Sequence, residues 1–166
     1  MKVERMLKMK NKDLEVLAHL RQNSRISLTS LSKKSGVPVS TLFDKLKSAT
    51  PFIKKFTVLV NFLPLGFGTR AMIVVKVKKS SREEAISFLT AHKQVNSAFK
   101  VNNGFDYILD VVFRDMKSLE EFIEALEEKK LIEKYYVYYI LDTLKQEEFL
   151  SSPDAAKWMF PPEKEA

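Results

Sequence analysis

The chain has 166 residues, 45% of them hydrophobic and 30% charged, with a formal net charge of +7 and no cysteine. That apolar content suffices for a packed core in one large or two small domains, and the missing thiols exclude disulfides, thiolate zinc sites and cysteine nucleophiles. His19 and His92 are the only histidines, so no catalytic residue, no metal ligand and no cofactor are expected.

The first ten residues mix Lys with Glu and lack the apolar core of a signal peptide. No apolar run approaches the roughly 18 residues of a membrane span, and the expectation is a soluble, cytoplasmic protein. Charge is unevenly spread: ten Lys and three Arg against four acidic residues give the first sixty positions +9, and the remainder carries −2. Non-specific affinity for DNA comes mostly from neutralised phosphates, so a basic head on a near-neutral body points toward DNA. Lys-rich surfaces also serve solubility, and the helical pattern beneath the charge has to make the case.

Lys12 to Gln22 carries Leu14, Leu17 and Leu20 at spacing three, with Val16 alongside, which predicts a one-faced helix. Asn23-Ser24 breaks it. Ser27 is placed to cap a second helix, Leu28 to Ser35, with Leu28 and Leu31 inward, and Gly36 ends it. Val37-Pro38 then starts a third helix, about Val39 to Lys47, expected to bury Val39, Leu42, Phe43 and Leu46 and to expose Ser40, Thr41, Asp44, Lys45 and Lys47. Two short helices joined by a Gly-containing turn after a supporting helix make a (winged) helix-turn-helix. From residue 49 to 68 the signals change to Pro, Gly and β-formers, read as a linker in which Phe56–Phe62 forms a connecting strand.

Residues 71–145 alternate in type. Ala71–Val77 reads as a strand and Ser81–His92 as a helix with Ala85, Phe88 and Leu89 on one face. Val95–Val101 and Phe105–Phe113 read as strands around Asn102-Asn103-Gly104, since Asn-Gly tolerates the positive φ of a tight hairpin. Ser118–Glu128 shows Leu119, Phe122, Ile123 and Leu126 at helical spacing, and Tyr135–Leu144 is the last strand. The order βαββαβ predicts a ferredoxin-like α+β domain, one antiparallel sheet with both helices on one face. The other face needs a cover, and a second copy of the domain is the simplest. The expected division is thus 1–50 for the DNA-binding domain, 51–70 for the linker, 71–146 for the ferredoxin-like dimerisation and effector domain, and 147–166 for a tail. That tail is acidic and Pro-flanked, with an apolar knot at Trp158-Met159-Phe160, and a few of its residues are expected to dock on its own body.

Three segments in this order carry a family resemblance. DLEVLAHLRQNSRIS (13–27) holds an opening helix and an Asn-x-Arg-x-Ser turn, GVPVSTLFDKLK (36–47) a recognition segment, and GFDYILDVVF (104–113) an Asp-Tyr strand. Over about residues 12–146 the chain resembles the leucine-responsive regulator/AsnC (feast-famine) family of transcription regulators, of archaeal type. The resemblance implies a homodimer through the C-terminal sheet, with tetramers or octamers as further steps, and a small-molecule effector, an amino acid in the family, held near Asn103, Gly104, Asp106 and Tyr107. This chain departs from the pattern at Asp44, where a basic residue is usual, at Phe43, where a small polar one is, and at Asn103, where the family's glycine falls. The usual exit from the recognition helix is replaced by SATPFIKK (48–55).

For DNA contact the expected set is Ser40, Thr41 and Lys45 in the major groove, with Arg25, Ser27, Lys33, Lys34 and Lys47 around them for phosphate. The same residues would be ordinary solvated surface on a head that only packs. Asp106 marks an effector site or satisfies backbone groups at the hairpin exit, and the two stand level. The tyrosines at 135, 136, 138 and 139 could form a platform for stacked bases, but half of them read better as dimer-interface packing. The leading function is a sequence-specific double-stranded DNA-binding regulator. The alternatives are a sirohaem-decarboxylase-like enzyme on the same fold, disfavoured by two scattered His and by only Arg70, Arg82 and Arg114 beyond the head, and a non-specific chromatin-like organiser.

Overall fold

The computed structural model describes residues 11–159. Lys2, Arg5, Lys8 and Lys10, which contribute to the basic head, and Phe160 of the apolar knot lie outside the described residues. Among the described residues, 11–59 with 145–159 form one unit and Val60–Leu144 forms another.

In the first unit, α1 (Asn11–Gln22) buries more than the single stripe its leucines suggest, because two sets of neighbours meet it. Val16 and Leu20 pack with Leu31, Val37 and Leu42 of the second and third helices, α2 (Leu28–Ser35) and α3 (Val39–Ala49). Leu14 and Ala18 pack instead against Leu150 and Ala156. The C-terminal segment thus returns to α1 and ends in a short helix, Pro153–Met159. Arg21 ties it down, donating to the Glu147 carbonyl at 2.9 Å and to its carboxylate at 3.0 Å. Leu150 sits at φ 56, in the left-handed region that costs a non-glycine residue about 1–2 kcal/mol. Burial against α1 offsets that cost. The docking expected of the tail is made by Leu150 and Ala156, while Trp158 stands exposed.

The second unit is one antiparallel sheet in the order β2-β3-β1-β4, from β1 (Thr69–Val77), β2 (Val95–Lys100), β3 (Tyr107–Phe113) and β4 (Ile132–Tyr139). Period-two alternation sends Ala71, Ile73, Val75 and Val77 of β1 and Leu109, Val111 and Phe113 of β3 to one face. There they meet Ala85 and Leu89 of α4 (Arg82–Ala91) and Leu119, Phe122, Ile123 and Leu126 of α5 (Met116–Glu128), the apolar positions the helical spacing predicts. Asp115 caps α5, its carboxylate accepting from the Ser118 amide at 2.8 Å, so this helix starts two residues earlier than expected. Asn103 and Gly104 both hold positive φ, 63° and 87°, as an Asn-Gly hairpin turn requires.

Two expectations are corrected. Phe56–Phe62 is not a strand: residues 53–62 are without regular secondary structure, no strand among the described residues pairs with them, and Phe56, Val58, Leu59 and Val60 are exposed. The last strand is Ile132–Tyr139 rather than 135–144. It begins earlier because Ile132 still finds Val77 across a register shift, and it stops because its partner β1 begins at Thr69, leaving only Ile140 to donate to the Arg70 carbonyl. Leu141 and Leu144 lie beyond that edge and are exposed.

The sheet face away from α4 and α5 carries Tyr136 and Tyr138 of β4, Phe99 of β2, and Met72, Val74, Ile108 and Val112 between them. On the same face Arg70 grips Asp110 with two parallel bonds of 2.9 Å, and Asn96 donates to the same carboxylate at 2.6 Å. The hydrogen bond to Asp110 holds the Arg70 guanidinium above its ordinary pKa against the opposing effect of burial.

Candidate nucleic-acid interface

The helix-turn-helix is shaped by its own local hydrogen bonds. The Asn23 side chain accepts from the Arg25 amide at 3.0 Å, closing the turn after α1. The Ser27 hydroxyl accepts from the Ser30 amide at 3.1 Å, the cap expected for α2. Gly36 ends α2 at φ 65 with its amide on the Ser32 carbonyl. Pro38 then starts α3, its carbonyl accepting from Thr41 and Leu42, both at 3.0 Å. Leu42 is fully buried against Leu31 and Val37, and this contact fixes which side of α3 faces solvent.

The outward side carries Ser40, Thr41, Asp44 and Lys47, all exposed. Arg25, Ser27, Lys33 and Lys34 are exposed as well, with both lysines in the last turn of α2, where the helix dipole favours cations. Lys45 differs from the rest of its set. It is turned back across the unit onto Asp13 of α1 in an ion pair that leaves its side chain only 21% exposed. No pattern within α3 signals this, since the partner lies 32 residues away. Three apolar expectations also reverse: Leu28 is 37%, Val39 43% and Phe43 66% exposed. The three-helix core is small, and Leu31, Val37 and Leu42 already fill it.

His19 is buried in α1, and neither ring nitrogen has a hydrogen-bond partner among the described residues. Burial, then the nearby Lys34, hold its pKa below the ordinary 6.5, with Glu15 opposing. Burial does the same to His92, whose ring packs 4.5 Å from Phe122. The unfolded chain therefore binds protons that the folded chain refuses. Their contribution to stability is complete above about pH 6.5 and is lost as pH falls from there toward the lowered folded values. Thermal melts across this window should show Tm declining with acidity, and a His19→Leu/His92→Leu variant should lose that part of the decline. An unchanged slope in the double variant would assign it to other groups.

The four residues expected at an effector site are not brought around one cavity. Asn103 and Gly104 form the exposed tip of the β2–β3 turn, where a side chain added at Gly104 would meet no atom within 4 Å. Asp106 is spent inside the unit: its carboxylate accepts from the Val77 amide at 3.0 Å and from Arg82 at 2.8 Å. Tyr107 packs on the core beneath the sheet. A concavity at the start of α4, lined by Lys79 to Glu84, includes none of the four, although Arg82 links it to Asp106.

Comparison with known proteins matches both units. Residues 9–48 match a winged helix-turn-helix DNA-binding family, and residues 70–150 match the Lrp/AsnC ligand binding domain. Transcriptional regulator AzlB of Bacillus subtilis is 32% identical over 116 residues, 67% of this chain and 74% of AzlB. The HTH-type transcriptional regulator FL11 of Pyrococcus abyssi is 24% identical over 136 residues, 81% of this chain and 90% of FL11. Among solved structures, a transcriptional regulator of Neisseria meningitidis in complex with L-Met superposes with a TM-score of 0.79 at 22% identity, over 84% of this chain and 94% of that one. LrpC of Bacillus subtilis superposes with a TM-score of 0.77 at 18% identity, over 84% and 99% respectively.

Proposed function

The chain belongs to the Lrp/AsnC family of transcriptional regulators, and from that membership we propose that it is a sequence-specific reader of double-stranded DNA working as a homodimer. Its N-terminal helix-turn-helix binds DNA and its C-terminal domain is a ligand-binding domain. Regulators of this family are not enzymes, so the tetrapyrrole alternative falls. The observation that carries the finer reading is the exposed side of α3, with Ser40, Thr41 and Lys47 on it and Lys33, Lys34 and Arg25 around it. Short polar side chains there reach base edges while the basic residues meet phosphates. Lys45, held on Asp13, serves as a strut between α3 and α1 and leaves base reading to its neighbours.

The apolar sheet face supports self-association, because Phe99, Tyr136 and Tyr138 are costly to leave in water and a second copy offers the same face in return. The unpaired β-formers at 56–60 favour the same partner, since identical segments pair antiparallel about a two-fold axis. A dimer presents two heads to half-sites about one DNA turn, or a multiple, apart. Acting on DNA, with no described helix long and apolar enough to cross a membrane, the protein works in the cytoplasm. A small effector, of the amino-acid class seen in the Neisseria complex, shifts assembly through the exposed Asn103-Gly104 backbone rather than through the occupied Asp106 carboxylate.

Binding to the DNA upstream of its own gene, compared with shuffled DNA of equal length across a salt series, tests this reading. A preference of roughly a thousandfold or more at physiological salt is expected. Equal affinities that collapse together as salt rises would instead make the protein a DNA organiser. Sedimentation should return at least twice the 19.2 kDa chain mass, and a monomer at micromolar concentration would remove the dimer from the proposal.

A further inference from the structure

The side of α3 that faces solvent is not purely polar, and its apolar part lies exposed among the described residues. Phe43 follows the fully buried Leu42 by one residue yet is 66% exposed, and Val39, one turn earlier on the same flank, is 43% exposed. Lys47 continues that row one turn later, and Ser40 and Asp44 run beside it. Among the described residues Phe43 makes no ring–ring or cation–ring contact. A phenyl group left in water forgoes about 1.5–3 kcal/mol of burial, so its place on this helix calls for an occupant.

Asp44 narrows the choice. Its carboxylate is exposed and paired with no cation among the described residues, so it would be repelled by a phosphate. The row beside it therefore faces base edges, where amino groups donate to a carboxylate, while Lys33, Lys34 and Arg25 at the rim meet the backbone. In the major groove only thymine presents a methyl group, and an apolar side chain with no donor or acceptor reads nothing else there. Resting on the DNA-reading function above, we propose that Phe43, with Val39 behind it, is a specificity-determining residue that packs on the 5-methyl group of thymine in each half-site. The residue replaces hydrogen-bond readout with methyl recognition at that base pair, and Asp44 biases the neighbouring position toward a base with an amino donor.

The test uses the full chain and duplexes selected by it from a randomised library. Each thymine of the selected duplex is replaced in turn by deoxyuridine, which differs only in lacking the methyl group. The wild-type protein should lose about three- to fivefold in affinity at one or two positions per half-site, the effect of one buried methyl. Phe43→Ala should bind the thymine duplex more weakly, fail to distinguish thymine from uracil at those positions, and keep its salt dependence. Because Phe43 is exposed, the variant should melt as the wild type does. The proposal is overturned if uracil is tolerated at every position, or if Phe43→Ala discriminates as well as the wild type. A Phe43→Ala variant that changes sedimentation but not discrimination assigns the ring to a protein contact, and likewise overturns it. Selection that enriches no sequence would sink sequence-specific reading itself, before uridine is ever introduced, and the two failures are thereby distinct.

Discussion

Leu42→Ala abolishes DNA binding at physiological salt while the C-terminal unit stays folded: this is the largest functional effect expected of a single substitution. Leu42 is fully buried among Val16, Leu20, Leu31 and Val37, and truncating such a side chain typically costs 2–5 kcal/mol in lost burial and residual cavity. A small unit holds only about 0.05–0.15 kcal/mol of stability per residue, so the loss is comparable to everything that keeps the head folded. The same side chain also sets the rotation of α3 that presents Ser40, Thr41 and Lys47. Two-dimensional NMR should show head resonances collapsing to random-coil positions while those of Val60–Leu144 persist. Lys47→Ala provides the contrast: it should leave the head folded, weaken binding to all sequences alike and reduce the salt slope by about one. Wild-type affinity in Leu42→Ala would show that the three-helix core does not support the interface.

Within the sheet unit, Asp110→Ala is expected to have the largest effect on stability. Asp110 is 6% exposed and accepts from both the Nε and the Nη2 of Arg70 and from Asn96. Removing it strands the guanidinium of a side chain that is itself only 26% exposed, and breaking a pair of this kind costs about 3 kcal/mol. In a domain of this size that lowers Tm by about 12–24 °C. Because the trio lies on the sheet face proposed for self-association, that association should weaken in parallel, which sedimentation will register. The double variant Arg70→Met/Asp110→Leu separates causes, since apolar replacement of both partners avoids the stranded charge and should recover most of the loss. A double variant no better than Asp110→Ala would mean that the network contributes through its geometry and not through the avoided penalty.

The sheet domain was the more legible half of the chain. Its apolar residues alternate at period two in β1 and recur at helical spacing in α5, and Asn103-Gly104 marks the hairpin by chemistry that only a tight turn requires. These signals lie within a few residues of what they specify. In the head, the Ser27 cap and the Gly36 stop were equally local, and so were readable. The sequence expected Asp106 at an effector site or on backbone groups at the hairpin exit, but its carboxylate is engaged by Val77 and Arg82, partners on β1 and α4 that its own neighbourhood does not announce.

By itself, then, the sequence determined the helices of the head and of the sheet domain to within about two residues, the βαββαβ order and the basic bias of the head, all consequences of propensity, capping and periodicity over one or two turns. Tertiary structure alone decided which apolar residues remain outside. Val39, Leu42, Phe43 and Leu46 look alike as a stripe, but the core has room for Leu42 at its centre and none for Phe43. It also decided that Lys45 meets Asp13, that Leu150 and Ala156 cover the far side of α1, and that β4 ends where β1 begins. The physical reason is common to all of these: burial and strand pairing belong to two segments at once, and the chain brings them together from as far as more than 130 positions apart.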